Sequence, residues 1–220
     1  MLMRLRVSEI FVSVQGEGVT AGLPSAFVRL QGCSVGCSWC DTKYSWTRDA
    51  GQETTLDQVL TAVAEAGVEN VVVTGGEPLE HPAFVGLVEA LKSRGHRVEV
   101  ETAGIIPPPT IAVDQWNVSL KLRHSNVATE KRLNPEAIYT FRDLGAWFKF
   151  VVATERDIDE VIQIQRGYRL PSKQILLMPL GMQRSDQLQR MPVVMEWCRC
   201  YGFRFSPRLH VLAWGPKRGV

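Results

Sequence analysis

Residues 26–42 read Ala26-Phe27-Val28-Arg29-Leu30-Gln31-Gly32-Cys33-Ser34-Val35-Gly36-Cys37-Ser38-Trp39-Cys40-Asp41-Thr42. An apolar run, Ala26–Leu30, predicts a short buried strand. It gives way to a Gly/Ser-rich stretch with cysteines at C-x3-C-x2-C spacing. Positions i, i+4 and i+7 share a helix face, so three buried helical cysteines are one reading. Gly32, Ser34, Gly36 and Ser38 favour a loop instead. The chain has five cysteines, the other two being Cys198 and Cys200. An odd number with a tight triplet suits a metal or cluster site better than a disulfide framework. Structural zinc stays open, but it takes four Cys/His ligands and the second half of such a site is missing. A 4Fe-4S cluster normally takes four thiolates, so three would leave one iron free to bind a substrate or cosubstrate.

Outward from this stretch, short runs rich in Val, Ile and Phe alternate with helical patterns. The runs predict strands at 7–14, 70–74, 97–101, 116–120, 147–153, 174–178 and 202–205. Thr55 followed by Gln58 predicts a capping box, with Leu56, Val59, Leu60 and Val63 on one face and Gly67 as the stop. Pro82 starts a second helix ending before Gly95. Asn134-Pro135 is an N-cap and first-turn pair for a third. Residues 157–165 form a fourth helix, and 185–201 a fifth that is started or kinked at Pro192. This alternation implies parallel strands joined by right-handed crossovers. About six βα units are too few for a closed eight-unit barrel. The expected fold is therefore α/β, a partial (β/α)6-like TIM-type barrel, with a flat doubly wound sheet as the alternative. One domain spans residues 1–220, and function belongs at the carboxyl ends of the strands.

Of the 220 residues, 45% are hydrophobic and 22% charged, with net charge +2, which excludes disorder as the default. No Lys/Arg run supports nucleic-acid binding. No stretch nears the ~20 apolar residues of a membrane span. The N-terminal MLMRLRVSEI lacks a secretory pattern, so a cytoplasmic protein is expected.

Four strand ends carry glycine or polar residues: Thr74-Gly75-Gly76-Glu77-Pro78, Glu101-Thr102-Ala103-Gly104, Ser119-Leu120-Lys121 and Met178-Pro179-Leu180-Gly181. Glycines there let backbone approach a ligand, and Glu77 offers an acceptor for an amine; an ordinary turn is the plainer reading of Gly75-Gly76. Gln15-Gly16-Glu17-Gly18 interrupts the first extended run, either as backbone against a ligand or as a hairpin turn. Arg29, inside an apolar run, needs either a core carboxylate or a substrate carboxylate held bidentate. His81, His96 and His124 follow no pattern and are read as surface or structural. The tail from Pro207 to Gly215 is read as packed. The tryptophans are read as core, and Cys198 and Cys200 as helix-packing residues.

These motifs together resemble the radical S-adenosylmethionine (SAM) superfamily. The QGEG segment, Arg29, CSWCDT, the S-x-K at 119–121 and the tail HVLAWGPKRGV resemble more narrowly its 7-carboxy-7-deazaguanine synthase family. The resemblance implies a modified radical SAM barrel, a homodimer, and a 4Fe-4S cluster on Cys33, Cys37 and Cys40 as the catalytic triplet. It places Gly76, Glu77, Gly104, Ser119, Leu120, Lys121, Met178, Pro179, Leu180 and Gly181 around SAM. It places Val14, Gln15, Gly16, Glu17, Arg29, Thr102, His210 and the carboxylate of Val220 around a small-molecule pterin, 6-carboxy-5,6,7,8-tetrahydropterin. Thr42 would supply its hydroxyl to Mg2+. A 5′-deoxyadenosyl radical would take hydrogen from C6 of the pterin, whose ring then contracts with loss of ammonia. The reductant would be a flavodoxin or ferredoxin. Leu120 departs from the S-P-K of many relatives. A radical SAM activase acting on a partner protein, and a non-catalytic zinc-binding module, are the competing readings.

Overall fold

The computed structural model describes residues 3–220. Met1 and Leu2, the start of the stretch read as lacking a leader, lie outside the described residues. A long strand, β1 (Arg4–Val14), pairs antiparallel with β2 (Pro24–Leu30), Phe11 opposite Phe27. The cysteine loop follows β2. Then β3 (Gln52–Thr55) pairs with the start of β1, and α1 (Leu56–Glu65) leads to β4 (Asn70–Gly75). From there the chain winds through α2 (Phe84–Ser93), β5 (Arg97–Thr102), β6 (Gln115–Val118), α3 (Thr129–Arg132), α4 (Pro135–Asp143) and β7 (Trp147–Val152). It ends with α5 (Glu155–Tyr168), β8 (Ile175–Pro179), α6 (Arg184–Tyr201), β9 (Arg204–Phe205) and α7 (Leu209–Trp214).

Among the described residues the strands form one nine-stranded sheet in the order β3-β1-β2-β4-β5-β6-β7-β8-β9, parallel from β2 to β9. The six β-strands from β2 to β8, taken without β3, are the expected partial barrel; β9 adds a two-residue edge. The capping box at Thr55 forms, and the Asn134 side chain accepts the Ala137 N–H. β3 was not expected: it is a polar edge strand without an apolar pattern. α6 runs unbroken through Pro192. That residue is exposed, so the carbonyl it leaves unpaired can face water. Cys198 is buried in the core as expected, whereas Cys200 is exposed, its thiol donating to Glu196 at 3.3 Å on the same helix. His81 is buried, its Nε2 3.1 Å from the Arg6 amide.

The strands obey a period of two. Val98 and Val100 on β5, Trp116 and Val118 on β6, and Phe148, Phe150 and Val152 on β7 join the core packed under the helices. Between them, Glu99, Glu101, Gln115, Asn117 and Lys149 turn to the opposite face, inside the barrel curve. That face is polar and internally bonded: the Asn117 amide donates to Glu101 at 3.1 Å, and the Gln115 amide to Asn117 at 2.9 Å. The barrel is thus apolar outside its strands and polar within. Phe150→Ala, which empties a fully buried site in the apolar layer, should cost about 3–5 kcal/mol in chemical unfolding.

Candidate active site

The cysteine loop leaves β2 and is held on three sides. Gly32 N–H donates to Ser45 O at 2.8 Å and Cys33 N–H to Trp46 O at 3.0 Å. Ser38 N–H donates to Ser125 O at 2.9 Å, and Ser34 N–H to the Glu80 carboxylate at 3.0 Å. On the barrel side the loop meets the turn after β4, where Glu77 N–H donates to Gly32 O at 2.9 Å. A Cβ on Gly76 would run into the Gly32 carbonyl and lie 2.5 Å from Cys33 Cβ. The glycine of this turn therefore admits another piece of backbone, the cysteine loop, on the side where a Cβ would stand.

Cys33, Cys37 and Cys40 open onto one cleft. Trp46 Nε1–H points to Cys40 Sγ at 3.3 Å and Thr42 N–H at 3.4 Å. A hydrogen bond from Cys37, helped by these donors, favours the Cys40 thiolate against the cost of burial, while Cys37 is pushed the other way. N–H donors around a sulfur are the surroundings that ligating thiolates use. Among the described residues no three His, Cys, Asp or Glu side chains are placed to hold a single metal ion. Cys198 and Cys200 lie on α6, away from the cleft lining, and provide no fourth ligand. Three thiols facing a roomy cleft suit a cluster with one open corner and not a closed zinc site.

The cleft lies at the carboxyl ends of the parallel strands and has two adjoining chambers, of about 320 and 500 Å³. Both sizes suit small organic molecules. The first is lined by the cysteines and by Val14, Gln15, Gly16, Glu17, Arg29, Thr42, Gly76, Thr102, Ser119, Lys121, His210 and Val220. The second is lined by Ser119, Lys121, Met178, Leu180 and Gly181. Four expected positions stand behind these walls. Leu120 is buried in the apolar core. Pro179 closes β8, and its carbonyl accepts from the Gln187 amide. Gly104 has φ +70° and packs against Val118. Glu77 is buried, accepting from the Thr102 hydroxyl at 2.6 Å and the Ala103 amide at 2.7 Å. Burial outweighs these bonds and lifts its pKa above the usual carboxylate range.

Arg29 has the protein carboxylate foreseen for it as one of two alternatives, and it faces the cleft as well. It lies directly across β1 from Glu9, its Nε 2.7 Å from Glu9 Oε1, and it also lines the cleft. The second Glu9 oxygen accepts from Arg218, whose guanidinium stacks 3.8 Å from the Tyr44 ring centroid. This ties the chain's last segment to the cleft mouth. The QGEG glycines pack on that tail too: Gly16 lies against His210, and Gly18 N–H donates to Ser206 Oγ at 2.8 Å. Gln15 is buried with its Nε2 unpartnered among the described residues, a donor awaiting an acceptor.

Sequence reading missed Lys149, Arg208 and Trp39. Trp39 lines both chambers, with Lys121 Nζ 5.4 Å from its ring centroid. Lys149 Nζ lies 2.6 Å from Glu17 Oε2 and 2.9 Å from Glu101 Oε2. Arg208 Nε lies 3.0 Å from Glu17 Oε1 and also pairs with Asp41. Burial alone would raise the Glu17 pKa, but Lys149 and Arg208 prevail and keep the carboxyl well below its ordinary range. Glu101 goes the other way: burial raises its pKa more than the Lys149 ammonium lowers it, and Glu17 adds repulsion. Lys149 in Phe148-Lys149-Phe150 carried the same signal as Arg29, a charge amid apolar strand residues.

The Radical SAM superfamily model matches residues 27–116. The 7-carboxy-7-deazaguanine synthase of Pyrobaculum aerophilum is 40% identical, the match covering 98% of this chain and 97% of that protein. The enzyme of the same name from Hyperthermus butylicus is 37% identical, over 94% and 92%. Among solved structures, that of QueE from Escherichia coli superposes with a TM-score of 0.76 at 26% identity, covering 94% of this chain and 95% of that one.

The contact between the two loops gives a direct test. Gly76→Ala must part them, so it should lower stability by about 1–3 kcal/mol. It should also reduce iron retained after anaerobic reconstitution, read by iron and sulfide analysis; full retention would show that the contact does not shape the site.

Proposed function

The chain belongs to the 7-carboxy-7-deazaguanine synthase family of radical SAM enzymes, and on that premise we propose how its residues share the work. The enzyme is a radical SAM lyase that converts 6-carboxy-5,6,7,8-tetrahydropterin to 7-carboxy-7-deazaguanine with loss of ammonia. The observation that carries the assignment of residues is that three thiols, an arginine and an unpartnered buried amide open on one two-chambered cleft.

A 4Fe-4S cluster on Cys33, Cys37 and Cys40 supplies, when bound, the electron that cleaves SAM to methionine and a 5′-deoxyadenosyl radical. The rest is positioning and exclusion of water. SAM is assigned to Gly76, Ser119, Lys121, Met178, Leu180 and Gly181. Glu77, Gly104, Leu120 and Pro179 support that wall from behind: Glu77 holds the Thr102 hydroxyl and the Ala103 amide in place. The pterin is assigned to the part of the first chamber bounded by Val14, Gln15, Gly16, Glu17, Arg29, Thr102, His210 and Val220. Gln15 Nε2 is the donor for a ring carbonyl. Glu17, an anion by virtue of its two cations, is the acceptor for the N–H edge. Arg29, with Nε taken by Glu9, keeps its terminal nitrogens for the substrate carboxylate. Burial depresses the His210 pKa, so it acts as a neutral hydrogen-bonding group.

Thr42 is the proposed oxygen ligand for Mg2+. It lines the cleft, and a hydroxyl is a hard oxygen donor of the kind Mg2+ takes, the remaining positions falling to substrate oxygens and water. A flavodoxin or ferredoxin as electron donor, and a homodimeric state, rest on family membership. Among the described residues no helix is long and apolar enough to cross a membrane.

The test is anaerobic turnover with the carboxytetrahydropterin, SAM and a low-potential reductant, followed by mass spectrometry. Formation of the deazaguanine is expected; SAM consumption without it would favour the activase reading. Arg29→Ala should weaken pterin binding by about 1.5–3 kcal/mol, the worth of a charge-assisted hydrogen bond. Calorimetric titration showing unchanged affinity would remove Arg29 from the substrate site.

A further inference from the structure

Lys149 stands apart from every segment assigned above. It is buried at mid-strand on β7, yet it borders both chambers. Its ammonium bridges Glu17, from the turn after β1, and Glu101, near the end of β5. Every charged group around this bridge can be named. Arg208 and His210 approach Glu17 from the C-terminal segment, with His210 Nε2 4.0 Å from Glu17 Oε1. Asp41, from the cysteine loop, binds the far side of Arg208. Glu99 lies one turn of the pleat below Glu101, tied to Arg97 and to the Gln115 and Asn117 amides. Glu17 and Glu101 thus share one cation and, among the described residues, only Glu17 has a second.

The geometry points to Lys149 as a positioning residue for the substrate anchor. It joins Glu17 and Glu101 into one rigid unit and keeps the Glu17 carboxylate on the cleft floor as a charged acceptor for the N–H edge of the pterin. This rests on the assignment of Glu17 to the substrate. Two carboxylates close together in a low-dielectric site cannot both stay ionised without a cation between them. The Lys149 bridge supplies it, and the Arg208 contact decides which carboxylate stays charged when the bridge is lost or shared. With an apolar isostere at position 149, Glu17 keeps Arg208 while Glu101 has no cation, so Glu101 takes up the proton and Glu17 stays ionised. As pH rises Glu101 gives up that proton and, with no cation between them, repels the Glu17 carboxylate from its place on the cleft floor, so pterin affinity falls with that titration. Removing the second charge as well, with Glu101→Gln, leaves Glu17 with Arg208 alone and restores the balance.

The experiment is anaerobic calorimetric titration of 6-carboxy-5,6,7,8-tetrahydropterin into the cluster-loaded enzyme between pH 6 and 8.5. In Lys149→Met the dissociation constant should rise about tenfold or more at pH 8.5, and recover as pH is lowered; one pKa unit corresponds to a factor of ten. Lys149→Met/Glu101→Gln should recover most of the affinity and lose the pH dependence. This double variant buries no unpaired charge, so it remains informative if Lys149→Met folds poorly. A Lys149→Met affinity equal to wild type at pH 8.5 would overturn the inference. So would a folded double variant weakened about tenfold at every pH, since that is what a purely space-filling lysine predicts. Wild-type enzyme that fails to bind the pterin at all would instead strike at the substrate assignment beneath both.

Discussion

A lysine ammonium buried in a barrel is stable only while its counter-ions stay with it, and the upper half of this structure is arranged around that condition. Lys149 reaches Glu17 and Glu101; Glu17 in turn holds Arg208, and Arg208 holds Asp41 beside the cysteine loop. Desolvating such charges is expensive, and the expense is met only if every partner is in place. One chain of ion pairs therefore fixes the relative positions of the first turn, β5, β7, the C-terminal segment and the cysteine loop. A mobile cleft floor would break it.

The second constraint is steric. The cysteine loop and the turn after β4 pass so close that their backbones bond directly, Gly76 and Glu77 against Leu30 and Gly32. The Glu77 side chain then turns back to hold Thr102 and Ala103. A redox-active group, its cosubstrate and the substrate can share one small cleft only if the surrounding loops hold the reacting atoms within a few tenths of an ångström. Backbone-to-backbone contact without intervening side chains is the stiffest way to join loops from different strands.

The same economy shows what the missing side chains make room for. Gly16 and Gly76 suggested backbone meeting ligand; both line the cleft, and the space a Cβ would fill is taken by protein, His210 in one case and the cysteine loop in the other. Proximity to the site was legible, but the identity of the neighbour was not, because a missing Cβ records only that something lies close. Likewise Leu120, Pro179 and Gly104 fall within segments that reach the cleft, yet their own side chains or backbones support it from behind. A strand end alternates its faces, and a motif read as a block does not say which residue of the block points inward.

The sequence by itself determined the strand–helix alternation, the capping at Thr55 and Asn134, the cysteine loop and the rim on which the site lies. These are local properties, set by periodicity, caps and glycine within a few residues of one another. Even the polar barrel interior was written in the alternation of Val98-Glu99-Val100-Glu101 and in Lys149 between two phenylalanines. Only the tertiary structure decided what those charges face. Glu17 meets Lys149 across 132 positions and Arg208 across 191. Electrostatic pairing in a desolvated interior depends on distance in space, which the order of residues along a chain does not encode.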